Sequence, residues 1–199
     1  FKNRENVKYV IMDMSQLFRS VVKNCFPNAQ IVADKFHVAR LVTWAFESVR
    51  KRVQKEFNTS RRKYFKRSRQ LLLKNPNKLS SDQAIQVSNM LSISNELANA
   101  YLLKNKFYEF MGSKDRQEAT KLLKDWYLYA GVINIPDFNK CLETFNNWQN
   151  EILNAFTVVN EYAEADLKRL LSEFGELTNA AAMASTIVQA RSEEPIKNT

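Results

Sequence analysis

The chain has 199 residues, 45% of them hydrophobic, and a formal net charge of +9. Three glycines and four prolines are too few for a sandwich or barrel, which needs a turn signal about every 8–12 residues. The composition reads as long helices, in one domain with an elaboration or in two small ones. Two cysteines far apart in sequence suggest no disulfide framework and fit a reducing, cytoplasmic setting. No apolar run approaches the length of a membrane span, and no leader is evident.

In chain order, "VKYVIMDM" is a short β-branched run and predicts a strand. Ser15 then offers an N-cap to a helix in which Leu17, Phe18, Val21 and Val22 recur at helical spacing. "FPNA" is a turn and "QIVAD" a second strand. A helical crossover makes the two strands parallel and right-handed. Asp13 and Asp34 then end their strands on the same edge of the sheet, the edge where open α/β sheets bind ligands.

"KFHVARLVTWAFESVRKRVQKEF", residues 35–57, predicts a helix with a broad apolar face running from Phe36 to Val53. "SSDQ" at 80–83 predicts a capping box opening a helical stretch to Met111, broken near Ser94. Gly112 and Gly131 read as C-caps around another helix. "VINIPDF" is a connector, and a stripe from Phe138 through Trp148 to Phe156 follows. Trp44, Trp126 and Trp148 all sit on apolar helical faces and are expected in the core. After Val158 the chain turns Ala- and Glu-rich and net acidic, with one amphipathic helix expected at Leu167, Leu170, Leu171 and Phe174 and a frayed end.

The charge is concentrated. Between Arg50 and Lys78 stand twelve bases and the single acid Glu56, a net of +11 that leaves −2 for the rest of the chain. Arg50, Lys51, Arg52, Lys55, Arg61, Arg62, Lys63, Lys66, Arg67 and Arg69 are the candidate nucleic-acid contacts, with Tyr64 and Phe65 interleaved. A solvated helix face is what such runs usually are, but twelve bases against one acid is extreme for that and favours nucleic-acid contact.

Two roles are open for Asp13 and Asp34 on spacing alone. Each can cap the helix that follows it, or both can ligate Mg²⁺, which takes oxygen ligands from one or two carboxylates. His37 is the only histidine. It lacks a second histidine or a nearby cysteine as co-ligand, and a hydrogen bond to Asp34, three residues back, is the simpler expectation. No Gly-rich phosphate loop and no nucleophile motif are present.

The strings "YVIMDMSQLFRSVVKNCFPNAQIVADKFHVARLV" and "AFESVRKRV" resemble one family closely, the insertion-sequence transposases of the ISL-three group. The shared pattern is an apolar strand ending in D-M-S, an aromatic helix, F-P-x-A, I-V-x-D-[KR]-F-H-V and a helix ending V-R. "FNNWQNEILNAF" resembles the segment before the family's last catalytic motif. The resemblance implies a partial RNase H-like α/β core over 1–40, a mainly helical insertion over 41–157 and a divergent tail over 158–199, helix-dominated overall. It implies DDE chemistry, in which two Mg²⁺ ions held by Asp, Asp and Glu drive DNA cleavage and strand transfer. Asp13 matches the second acid and metal ligand. Asp34 and His37 match a D-x-x-H element supporting the active site, and the basic block would grip the DNA backbone.

The family's first acid lies on a strand upstream of Phe1. Its third lies in an N-G-x-x-E-like segment, where this chain reads "TVVNEYAEADLKRLL". The catalytic glutamate is not carried onto Glu161 or Glu164. The expectation is a transposase fragment inactive alone, with an incomplete metal site, transposon-end DNA as partner, no small-molecule substrate, and an open strand edge that favours a homo-oligomer. The rival reading is a non-enzymatic basic helical nucleic-acid-binding protein.

Overall fold

A computed structural model describes residues 3–161, 164–165, 167–168 and 179–193. It is helix-dominated, with one two-stranded parallel sheet, and divides into two compact units.

The first unit comprises residues 1–38, 111–122 and 148–199. Strand β1 (Tyr9–Met12) pairs in parallel with β2 (Gln30–Ala33), in a register from Tyr9 opposite Gln30 to Met12 opposite Ala33. Helix α1 (Gln16–Cys25) makes the crossover, and the Ser15 hydroxyl accepts from the Phe18 N–H as the predicted N-cap. One residue past β2 begins helix α2 (Lys35–Lys55), which runs on into the second unit.

The first unit's core lies over β2, where Ile31, Val32 and Ala33 are buried. Ala155 of helix α9 (Gln149–Glu161) packs beside Val32. The Asn154 side-chain amide donates to the Ile31 carbonyl at 2.8 Å, and its oxygen accepts from Arg116. One amide thus serves β2 and a neighbouring segment together. Arg19 of α1 pairs with Glu151, and its guanidinium lies 4.5 Å from the Trp148 ring centre. Leu167 and Ala184 complete the cluster. Beyond Leu167, the expected amphipathic helix of Leu170, Leu171 and Phe174 lies outside the described residues, as does most of the "RSEEPIKNT" end.

The second unit comprises residues 39–110 and 123–147. Besides most of α2 it holds α3 (Thr59–Arg67), α4 (Arg69–Leu73), α5 (Ser81–Leu91), most of α6 (Asn95–Met111), much of α7 (Arg116–Ile133) and α8 (Asn139–Asn147). The Ser80–Gln83 capping box forms, and the break near Ser94 falls between α5 and α6, with the Ser94 hydroxyl accepting from the Leu97 N–H. Phe46, Phe65, Phe107, Phe110, Trp126, Phe138 and Phe145 are buried. Phe107 stacks on Phe145 with centroids 5.3 Å apart, and the Trp126 indole donates to the Leu103 carbonyl at 2.9 Å.

Three expectations are corrected. Gly131 lies within α7 and caps nothing; the helix runs to Ile133, and Asn134 takes the left-handed position at φ 50°. Asparagine tolerates that conformation because its short polar side chain bonds locally. Trp44 is 57% exposed and Phe36 66% exposed, so the apolar face of α2 is narrower than its hydrophobic positions suggest. The stripe from Phe138 to Phe156 is split between a 3-10 turn ending at Phe138 and two helices, α8 ending at Asn147 and α9 starting at Gln149.

Candidate functional site: an acidic strand edge and a basic helix

The register of the sheet fixes the acids. Met12 stands opposite Ala33, so Asp13 and Asp34 occupy the next paired positions past the strands, and the Asp34 N–H donates to the Met12 carbonyl at 2.8 Å. The two carboxylates are therefore carried to one edge, as the spacing predicts. Their states differ. Asp34 spends both oxygens locally: one accepts from the Phe36 N–H at 2.8 Å, and the other meets His37 Nδ1 at 2.9 Å. Asp34 is thus the cap of α2 and the partner that orients His37. Asp13 is exposed and makes no hydrogen bond among the described residues.

This donor set tests the fit of a two-metal site. Two Mg²⁺ ions need several oxygen ligands, and the described residues bring no group of three metal-binding side chains together. Among the described residues at this edge, Asp13 supplies the uncommitted carboxylate. Those described residues do not hold a metal pair by themselves.

Sequence reading missed Lys35. It follows Asp34 directly, and its ammonium lies 3.9 Å from the Phe156 ring centre without a hydrogen bond. Burial pulls this lysine down to about 8. The contact pairs residues 121 positions apart in the chain, and no local pattern announces it.

The basic block divides by exposure. Lys51, Lys55, Arg61, Arg62, Lys63, Lys66 and Arg67 are exposed. Helix α3 carries five of these and is started by Asn58, whose side chain accepts from the Arg61 N–H at 3.0 Å. Phe65 is fully buried 4.8 Å from Phe57 and seats α3, while Tyr64 is 44% exposed. Arg50 is the exception to the surface expectation. It is 4% exposed, bonded to Glu47 at 2.6 Å and to Gln54 at 2.7 Å, so its guanidinium is held inside the unit. Arg69 also binds Glu47 at 2.5 Å, and Arg52 joins Asp137 at 2.6 Å and Glu96. Burial alone would raise the Glu47 carboxyl, but the hydrogen bonds from Arg50 and Arg69 outweigh it and hold the group below its ordinary value. These three arginines therefore also have structural duties that a charge count cannot reveal.

No described helix is long and apolar enough to cross a membrane.

Comparison with known proteins bears on both features. The transposase of insertion sequence element IS1001 from Bordetella parapertussis is 26% identical over 152 residues, 75% of this chain and 37% of that protein. A separate likeness is to ribosomal RNA small subunit methyltransferase H. The protein of Flavobacterium johnsoniae is 55% identical over 51 residues, 26% of this chain and 17% of its own length. That of Flavobacterium psychrophilum is 53% identical over 100 residues, 47% of this chain and 33% of its own. The chain thus spans between 17% and 37% of these relatives. No solved structure matches. The model of the family described as Transposase, the ISL3 group, matches residues 1–166, and these residues include the acidic edge and the whole basic block: the chain belongs to the ISL3 transposase family.

Proposed function

We propose that this chain is part of a DDE transposase, an RNase H-like acidic edge followed by an insertion that grips transposon-end DNA. The observation that carries this reading is the parallel pair β1–β2 with Asp13 and Asp34 at matched positions past its carboxyl ends. An acid there can hold a metal against a scissile phosphate. Asp13 is the catalytic acid in this reading, and Asp34 and His37 support it by fixing the start of α2. The exposed cations of α2 and α3 supply backbone affinity that falls with salt and carries no sequence readout. In the intact enzyme two Mg²⁺ ions would be shared with acids that the described residues do not bring to the edge, and the reading expects the chain alone to be inactive.

The test is a strand-transfer and binding assay on transposon-end DNA with Mg²⁺. We expect salt-sensitive binding without strand transfer, and charge reversal at Arg61, Lys63 and Arg67 to lower the salt slope by roughly one unit for each phosphate no longer neutralised. Strand transfer that disappears in Asp13→Ala would show a complete site and overturn the inactivity. Failure to bind any DNA at low salt would sink the whole reading.

A second reading concerns the tail. The transposase match stops at residue 166, while the methyltransferase likenesses take 26% and 47% of the chain, more than residues 158–199 alone can hold. Together with the change of composition after Val158, these shares support methyltransferase-like sequence that includes the tail and overlaps the end of the transposase-matched residues. Aligning residues 1–157 and 158–199 separately with the Flavobacterium johnsoniae protein tests it. The identity is expected to fill the second piece and run on into the end of the first, and a second piece without identity overturns the reading.

A further inference from the structure

We propose that Trp44 is a stacking platform for an unpaired nucleobase of DNA, a role distinct from backbone contact by the basic helix. The proposal rests on the DNA-binding reading above and deepens it.

Trp44 is the anomaly of the second unit. A helix that buries Val42, Ala45, Phe46 and Val49 leaves the neighbouring indole 57% exposed. The other two tryptophans are 1% and 2% exposed. Exposing so large an apolar ring costs free energy that a partner ring would recover. One face of the indole is already engaged: the Arg40 guanidinium lies 4.7 Å from the ring centre. The exposed remainder borders a groove with an apolar wall of Leu41, Ala45 and Cys141 and a polar rim of Ser48 and Lys140.

Charge selects the occupant. A nucleotide is a flat ring carrying a phosphate, and here an aromatic surface stands among cations. Arg40 lies on the platform, Lys140 on the groove rim, and exposed Lys51 two turns further along α2. The acid in the groove does not oppose a phosphate strongly. The Asp137 carboxylate is bound by Arg52 at 2.6 Å and by Ser48. Base–aromatic stacking tolerates any base and needs the base out of its duplex. A second protein copy would also cover an indole, but it gives no reason for the cations around it.

The experiment uses the whole chain and its own fluorescence. Since Trp126 and Trp148 are buried, ligand-dependent changes in solvent-exposed emission report Trp44. Three probes of equal length are titrated: single-stranded oligothymidine, an abasic sugar-phosphate strand, and a duplex. We expect oligothymidine to quench the emission and the abasic strand to bind without quenching. Trp44→Ala should lose about tenfold in oligothymidine affinity and less than about twofold for the duplex, and Trp44→Phe should keep most of the affinity. Equal quenching by the abasic strand, equal loss on all three probes, or emission that follows protein concentration without DNA would overturn the proposal, the last in favour of a second copy. Duplex binding with emission indifferent to oligothymidine sinks this inference alone. Failure to bind all three probes sinks the DNA-binding reading with it.

Discussion

The two units bury their apolar residues very differently. The helical unit closes around large rings: Phe46, Phe65, Phe107, Phe110 and Phe145 are all at 0% exposure. The sheet unit buries two large rings, Trp148 and Phe156, beside the small-residue cluster of Val32, Ala155, Leu167 and Ala184, while Ile11 of β1 and Leu17, Phe18 and Val21 of α1 remain 46–72% exposed. The first has its own core. The second covers one face of a two-stranded sheet with α9 and leaves α1 with an open apolar side. Two parallel strands seldom stand alone, because parallel sheets bury both faces. Among the described residues, the sheet unit leaves the apolar side chains of β1 and α1 uncovered close to the strand pair, while the helical unit's exposed ones, Trp44, Ile85, Leu128 and Val132 among them, are spread over several helices.

The largest expected effect is in the ring-filled core of the helical unit. Phe107 touches Phe110, Trp126 and Phe145 at centroid distances of 5.3–5.6 Å. Phe107→Ala should cost about 3–5 kcal/mol, the transfer of the ring plus the cavity left behind. Urea unfolding followed by Trp126 emission measures it. A cost below about 1 kcal/mol would mean that this core is loosely packed and that the contrast between the units is overstated.

A smaller effect of opposite sign belongs to Lys104. It is fully buried, with its ammonium 4.5 Å and 4.9 Å from the Tyr101 and Tyr108 ring centres and 3.4 Å from the Lys74 carbonyl oxygen. Burial pulls it down from 10.5 to about 7. Below about pH 7 it is charged both folded and unfolded, so the full burial penalty stands. Between about 7 and 10.5 the unfolded chain binds the extra proton, so this group's contribution to stability rises with pH. Lys104→Met should therefore stabilise the protein by about 2 kcal/mol near and below neutral pH. The gain should shrink toward pH 10. Thermal melts at several pH values check this. A gain that does not change with pH would show that the ammonium is better solvated than its surroundings suggest.

Lys104 also marks where sequence reading ends. Local chemistry was legible: the Ser15 cap, the Ser80–Gln83 box, the parallel pairing and the Asp34–His37 hydrogen bond all depend on residues close in sequence or on strand order. What escaped depends on distant partners. Arg50 turned inward because Glu47 is buried beside it. Trp44 turned outward although its spacing is that of a core residue. Gly131 has nothing within 4 Å where a Cβ would stand, so the helix carries it without using its freedom. The joint work of Asn154 on Ile31 and Arg116 has no signature in either stretch.

The smallest effect is the sharpest check on the contrast. Phe18 lies on α1, where it is 55% exposed beside Leu17 at 72% and Val21 at 46%. Phe and Ser have similar helix propensities, and a half-exposed ring recovers little on folding. Phe18→Ser should therefore change stability by less than about 0.5 kcal/mol, the range of surface substitutions. The same ring type in the helical unit costs several times more when truncated. Urea unfolding followed by Trp148 emission reads the sheet unit, since Trp148 lies in it under Arg19. If Phe18→Ser instead costs more than about 2 kcal/mol, the outer side of α1 is covered in solution and the sheet unit is not open. If it costs nothing while Phe107→Ala costs the full amount, the sheet unit carries an apolar face that the described chain leaves bare, and the helical unit carries its stability without it.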